Sequence, residues 1–162
     1  MNIIQLGLRG FQFFMILLIM SLIGNMISIS SGPSVINYDM FVAVFCMLAL
    51  FYLIAQAVKP DSLTIHPALP LTLDGLAVLF TFIGGVATAA YLKVHSCGNI
   101  GYLNSNIVTR GSGKRCHEAQ ASTAFLWFAF VAFVASLVMT ALNGNANTRA
   151  GGIRRGTQMS KV

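Results

Sequence analysis

The sequence predicts an all-α membrane protein, a bundle of four transmembrane helices with both termini in the cytosol. The composition points to a membrane: 56% of the 162 residues are hydrophobic and 9% are charged, whereas soluble proteins have about 45–50% apolar and about 25% charged residues. The apolar residues are also grouped into four long runs that are separated by short polar segments. The runs are residues 10–29, 38–58, 69–92 and 119–142.

Each run is long enough to cross a membrane as a helix, because a hydrocarbon core of about 30 Å needs about 20 residues at 1.5 Å per residue. None of the four contains Lys or Arg, and their acidic residues are Asp39, at the rim of the second run, and Asp74. Transmembrane strands would be shorter and would alternate in polarity, which these runs do not. The first run exceeds the apolar segment of a cleaved signal peptide, so we expect it to stay as the first helix.

The positive charges predict the orientation. Four spans place both termini on one side of the membrane, and that side collects six of the ten cations: Arg9, Lys59, Arg149, Arg154, Arg155 and Lys161. The other four all lie in the third connection, residues 93–118, which we call the outer loop: Lys93, Arg110, Lys114 and Arg115. The positive-inside rule therefore favours cytosolic termini.

The segment after the fourth run, residues 143–162, is predicted to be a disordered basic tail on the cytosolic side of the four-helix domain of residues 1–142. It contains four cations, no acid and no apolar periodicity. Next to an anionic leaflet each cation is worth about 1 kcal/mol, so Arg149, Arg154, Arg155 and Lys161 are candidates for lipid-headgroup contact. The alternative is that these charges only fix the topology.

The outer loop contains two of the three cysteines, Cys97 and Cys116, at the ends of a segment rich in Gly, Ser and Asn. A disulfide between them would close about 20 residues and stabilise the loop by about 3 kcal/mol. It would require the oxidising side of the membrane, in agreement with the charges. Two reduced thiols are one alternative. A metal site with His95 and His117 is another, although adjacent ligands at 116 and 117 fit zinc poorly. Arg110, Lys114 and Arg115 are predicted to face the outer headgroups or cell wall.

Asp74 lies about one turn into the third run, near the cytosolic face. A carboxylate at the membrane centre costs about 2.5–3.5 kcal/mol and less near the rim, so a partner is expected. Arg9 and Lys59 lie at the same predicted depth. A switch or a headgroup contact is the functional interpretation; a carboxylate that is stabilised by the positive end of its helix is the structural one.

Small residues at spacings of three and four mark the third and fourth helices. Such residues let helices approach closely in lipid. They serve either packing within the chain or homo-oligomerisation. The residues are Thr81, Gly84, Gly85, Thr88 and Ala89 in the third helix, with Ala132 and Ser136 in the fourth. Cys46, in the second helix, is predicted to be an inert buried thiol.

Residues 71–128 carry a family resemblance. Their motifs "HSC", "GSGKRC" and "AQA", followed by the aromatic "AFLWF", resemble the fungal non-classical export family of MARVEL-domain proteins, the tetraspan proteins of eisosome-associated plasma-membrane domains. The resemblance implies a MARVEL-like domain with cytosolic termini. It also implies a non-enzymatic role in organising sphingolipid- and sterol-rich domains and furrows, a response to sphingolipid level, and a link to unconventional secretion.

The resemblance further implies the partners. Bound sphingolipid or sterol, anionic inner-leaflet lipid and an eisosome scaffold protein at the cytosolic face are expected; no nucleic acid, metal or catalytic residue is. Two alternatives from other classes remain. A thiol-redox enzyme would need a reactive Cys-x-x-Cys pair, which the sequence lacks. A small transporter would need an ionisable residue deep in the bundle, for which Asp74 is the candidate.

Overall fold

The structure is a computed structural model that describes residues 3–59, 68–93 and 95–158, with side chains as far as residue 142. Its described part consists of helices joined by turns and short irregular segments and contains no strand. The helices are α1 (Ile3–Ile29), α2 (Ser34–Val58), α3 (Leu69–Leu92), α4 (Ile100–Ser105) and α5 (Gly113–Gln158).

Four helical segments are long and apolar enough to span a membrane: α1, α2, α3 and the Gly113–Leu142 part of α5. The four-span prediction is therefore confirmed, although two boundaries differ. The first helix begins at Ile3 rather than at residue 10, and the last begins at Gly113 rather than at residue 119. The predicted spans began only after the charged residues, because charged residues interrupt an apolar run. In the structure, Arg9 and Arg115 lie inside the helices because both are buried and bonded within the bundle.

The spanning helices form a ring in which α1 contacts α2 and α5, and α3 contacts the same two helices. Their shared core is aliphatic, with Phe133 as its large aromatic member, and it follows the inner faces of all four spans. Fully buried members are Ile16, Ile19, Ile23, Ile36, Leu50, Ala77, Leu126 and Phe133. Large apolar side chains on the opposite faces remain exposed outside the bundle.

The tail differs from the prediction. The backbone of α5 continues as helix to Gln158, where the sequence predicted a disordered segment from residue 143. Extending an existing helix avoids the cost of nucleation, and residues 143–158 contain no proline to end it. Of the predicted headgroup cations, Arg149, Arg154 and Arg155 lie on this helical backbone. Lys161 lies outside the described residues.

Candidate functional site

A buried ion pair joins α1 to α3 at the end of the bundle where the chain begins. The Arg9 guanidinium donates two hydrogen bonds to Asp74, with Nη1 at 2.5 Å from Oδ1 and Nη2 at 2.7 Å from Oδ2. The Arg9 side chain is 3% exposed and that of Asp74 is 0% exposed. This fork geometry is the strong, bidentate form of the arginine–carboxylate pair. The expected partner of Asp74 is therefore Arg9, whereas Lys59 is exposed at the end of α2.

Gln12 extends this pair into a polar network across three helices. Its side-chain oxygen accepts a bond from Arg9 Nη1 at 3.1 Å, and its amide nitrogen donates to the carbonyl of Ala132 at 2.8 Å and to Ser136 Oγ at 2.7 Å. Gln12 is fully buried. The sequence did not mark Gln12 as a site residue, because one uncharged amide hardly changes the hydropathy of an apolar run. The network fixes α1 against α3 and α5, because buried polar groups that lose their partners are costly.

Asp39 forms a second buried polar contact, between α2 and α3. It lies near the start of α2, at the predicted rim of the span, and the structure shows that it is completely buried there. Its Oδ2 accepts a hydrogen bond from Thr88 Oγ1 at 2.5 Å, and its Oδ1 has no hydrogen-bond partner among the described residues. Gly84 provides the space: a Cβ at that position would lie 2.8 Å from Asp39 Oδ1.

The small residues of α3 and α5 face the inside of the bundle. Thr81, Gly84, Gly85 and Thr88 are buried and Ala89 is partly buried; Ala132 and Ser136 of α5 are buried as well. A Cβ at position 85 would lie 3.4 Å from the Trp127 indole, so Gly85 of α3 packs directly against Trp127 of α5. Packing within the chain therefore accounts for these residues.

The outer loop closes on a disulfide between Cys97 and Cys116, whose Cα atoms are 5.7 Å apart. Both cysteines pack with Tyr102 and Leu103 of α4 in a small buried cluster. The bond uses the two thiols that the metal alternative required. No group of three or more metal-ligating side chains occurs in the described part of the chain. The third cysteine, Cys46, is free and buried.

Side chains of the outer loop cap the end of α3. The Tyr102 hydroxyl donates to the carbonyl of Leu92 at 2.5 Å, and the Asn106 amide donates to the carbonyl of Tyr91 at 2.8 Å. The last carbonyls of a helix have no partner inside the helix, so these bonds satisfy groups that would otherwise need water. Burial raises the pKa of Tyr102, which keeps its phenol protonated as a donor.

Arg115 corrects a prediction. It was expected to face the outer headgroups, but its side chain is 1% exposed. Its Nη1 donates to the carbonyls of Met26 at 2.7 Å and Ser30 at 2.9 Å, and its Nε donates to the carbonyl of Val108 at 3.1 Å. Because α5 begins at Gly113, Arg115 lies in its first turn, within reach of the end of α1. It joins the outer loop to that helix.

The other two predicted basic residues of this set are on the surface. Arg110 is exposed and donates to Ser30 Oγ at 3.1 Å. Lys114 is 66% exposed and lies 3.9 Å from Glu118. Glu118 itself is buried and accepts a hydrogen bond from the side-chain amide of Asn25 in α1. Two outward cations thus surround a buried polar connection between α1 and α5.

The family model of the MARVEL membrane-associating domain matches residues 2–139, which include all four spans. Non-classical export protein 2 of Saccharomyces cerevisiae is 34% identical to the chain over 143 residues, 86% of this chain and 81% of that protein. The chain belongs to the fungal non-classical export family of MARVEL-domain proteins. It is therefore a multi-pass membrane protein, and the family resemblance of residues 71–128 is confirmed.

Further relatives in this family cover most of the chain. Non-classical export protein 2 homolog 1 of Saccharomyces cerevisiae is 34% identical over 160 residues, 95% of this chain and 88% of that protein. Non-classical export protein 102 of Candida albicans is 36% identical over 138 residues, 84% of this chain and 81% of that protein. No solved structure matches the chain. The MARVEL family and these names are those of a structural membrane protein rather than of a known enzyme.

Proposed function

We propose that the protein is a non-enzymatic organiser of the fungal plasma membrane. It gathers in eisosome-type domains rich in sphingolipid and sterol, responds to sphingolipid level, and supports the assembly of these domains and furrows. Its partners are the surrounding lipids and an eisosome scaffold protein at the cytosolic face. Homo-oligomers would form through the outer faces of the helices, because the small residues are used inside the bundle.

The observation that carries this proposal is the separation of polar and apolar groups. The polar contacts Arg9–Asp74, Gln12–Ser136 and Asp39–Thr88 all join helices inside the bundle. The outward faces carry large exposed apolar side chains, among them Phe14, Leu17, Phe41, Leu48, Phe51, Phe82, Phe128 and Val131. In a membrane such faces contact acyl chains or sterols, so the surface that this protein offers to its surroundings in the bilayer is suited to lipid.

The same contacts weigh against the two alternatives. A carboxylate that carries protons through a transporter must exchange with water, and Asp74 is instead held by the Nη1 and Nη2 atoms of Arg9. A thiol-redox enzyme needs an accessible reactive pair, whereas Cys97 and Cys116 are buried in a loop-closing disulfide.

The disulfide and the charges support an orientation with both termini in the cytosol. A disulfide persists on the oxidising side, so the outer loop would face the cell exterior and both termini the cytosol. The tail cations Arg149, Arg154, Arg155 and Lys161 would then lie next to anionic inner-leaflet lipid. A protease-cleavable tag tests this orientation: in sealed spheroplasts, external protease should leave a tag at either terminus intact and should cut one inserted in the outer loop.

The decisive experiment images a fluorescently tagged copy in a fungal plasma membrane with a core eisosome marker, before and after sphingolipid synthesis is blocked. Static patches that coincide with the marker and disperse on depletion are expected. A tail variant with its four cations replaced by Gln should lose part of the patch signal, whereas Gln at Arg110 and Lys114 in the outer loop should not reduce it. A uniform, lipid-independent distribution of the unmodified protein would refute the proposal.

A second candidate function rests on the relatives, which are named non-classical export proteins. By this proposal the protein supports export of cargo that lacks a signal peptide. Deleting it should lower the external fraction of such a cargo, and leave a signal-peptide reporter unchanged. Equal loss of both reporters would point to a general membrane defect and would refute a specific export role.

A further inference from the structure

A cavity of about 370 Å³ lies where the end of α3 meets the turn that follows α4. Because α3 ends at Leu92, the cavity is level with the end of a membrane span, where the headgroups of the adjoining leaflet would lie. Its wall consists of Ala90, Tyr91, Lys93, Ser105, Asn106 and Ile107.

Most polar groups in this wall are already bonded within the protein. The Asn106 amide donates to the carbonyl of Tyr91, and its side-chain oxygen accepts from the backbone N–H of Val108. The Ser105 hydroxyl donates to the carbonyl of Tyr102. Lys93 is exposed and takes part in neither of the ion pairs found among the described residues. The polar groups left for a ligand are therefore the Lys93 ammonium and the hydroxyl of the exposed Tyr91.

The rest of the cavity and its surroundings are largely apolar: Ala90 and Tyr91 belong to the end of α3, and Ile107 belongs to the outer loop. Ile107 is 52% exposed and Ile100, at the start of α4, is 73% exposed. Tyr91 is also exposed beside Lys93. Aromatic and aliphatic side chains next to a cation at the end of a span are typical of groups that lie among lipid headgroups.

We propose that this cavity binds the phosphate-bearing headgroup of an anionic lipid in the leaflet that the outer loop meets. The Lys93 ammonium pairs with the phosphate, while Tyr91 and Ile107 contact the lipid backbone and the first carbons of its chains. The inference rests on the proposed function only in that the outer loop meets a lipid leaflet. It assigns a defined lipid site to a loop whose disulfide and helix caps hold the cavity wall in place.

Native mass spectrometry of the purified protein in detergent tests the site. The protein is titrated with phosphatidylinositol and, separately, with diacylglycerol, which has no phosphate. The unmodified protein should bind one phosphatidylinositol with higher affinity than further copies and should bind diacylglycerol more weakly. Lys93→Gln should weaken this first binding about fivefold, the effect of one lysine near an anionic lipid. Lys114→Gln, which removes another exposed cation of the outer loop, is the matched control and should bind like the unmodified protein.

A second variant tests the cavity itself rather than its charge. Ala90→Phe fills the space and should weaken the first binding while Lys93 remains. Intact disulfide and unchanged helix content by circular dichroism confirm that each variant is folded. Equal weakening by Lys93→Gln and Lys114→Gln, no effect of Ala90→Phe, or equal binding of diacylglycerol would each overturn the proposal. Patch imaging separates the two proposals. If Lys93→Gln weakens lipid binding, the lipid site is supported even if the unmodified protein is spread uniformly over the membrane.

Discussion

Breaking the Arg9–Asp74 pair should destabilise the bundle far more than breaking an exposed pair. Both side chains are at most 3% exposed and are joined by bonds of 2.5 and 2.7 Å. Removing one partner from a buried pair leaves an uncompensated charge, which costs about 3–5 kcal/mol. We therefore expect Asp74→Leu and Arg9→Met each to lower the free energy of unfolding by about 3 kcal/mol. The double variant should recover much of this loss, because neither charge then remains buried.

The assay is unfolding by sodium dodecyl sulfate in mixed micelles, followed by circular dichroism. Lys114→Met is the control: it removes the exposed partner of Glu118, whose carboxylate is 3.9 Å from the ammonium and keeps its hydrogen bond from Asn25, and should cost less than about 1 kcal/mol. The double-mutant cycle gives the coupling energy directly. If the Arg9 and Asp74 variants cost no more than Lys114→Met, or if their costs simply add in the double variant, the buried pair does not hold the helices together.

Three further predictions concern packing and the outer loop. Gly84→Ala should cost about 1–3 kcal/mol in the same assay, because the new Cβ would lie 2.8 Å from a buried carboxylate oxygen. Gly75→Ala should be neutral or slightly stabilising, because a Cβ at that position would have no atom within 4 Å. Equal losses of stability in the two variants would show that the contact between position 84 and Asp39 is not the cause. Arg115→Met should lower stability by about 2–4 kcal/mol by freeing the carbonyls at the end of α1, whereas Arg110→Met, at an exposed position, should cost under about 1 kcal/mol. Thermal unfolding compares these two variants, and similar midpoints would refute the assigned role of Arg115. Cys97→Ser should lower the stability by about 3 kcal/mol. Reductant should destabilise the unmodified protein but not this variant, and a reductant effect on both would argue against the disulfide as its cause.

The elements that the sequence predicted well are those that depend on properties read along the chain. The four spans follow from the length and hydropathy of consecutive residues, and the structure contains all four. The Cys97–Cys116 bond was foreseen because two cysteines stand at the ends of one short polar segment. The sequence also predicted that Asp74 needs a partner, because a carboxylate among apolar residues is costly unless another group stabilises its charge.

Positions that depend on neighbouring helices were predicted less well. Arg115 was assigned to the surface because it lies in a basic loop, yet it is bonded to α1. Asp39 lies near the start of α2, at the predicted depth, but its burial against Thr88 was not predicted. Gln12 had no distinguishing pattern at all. Each case has the same origin: burial of a polar side chain depends on which acceptor or donor a second helix presents, and that helix is distant in sequence.

The sequence by itself thus determined that the chain crosses a membrane four times, that two cysteines stand at the ends of a segment in its third connection, and that Asp74 requires a partner. These are consequences of composition, of spacing, and of the cost of placing charge in hydrocarbon. Only the tertiary structure decided that Arg9 is that partner, that Arg115 joins the outer loop to α1, and that Gly84 makes room for Asp39. The physical reason is that these contacts depend on the order and rotation of the helices around the bundle, which hydropathy along one chain does not encode.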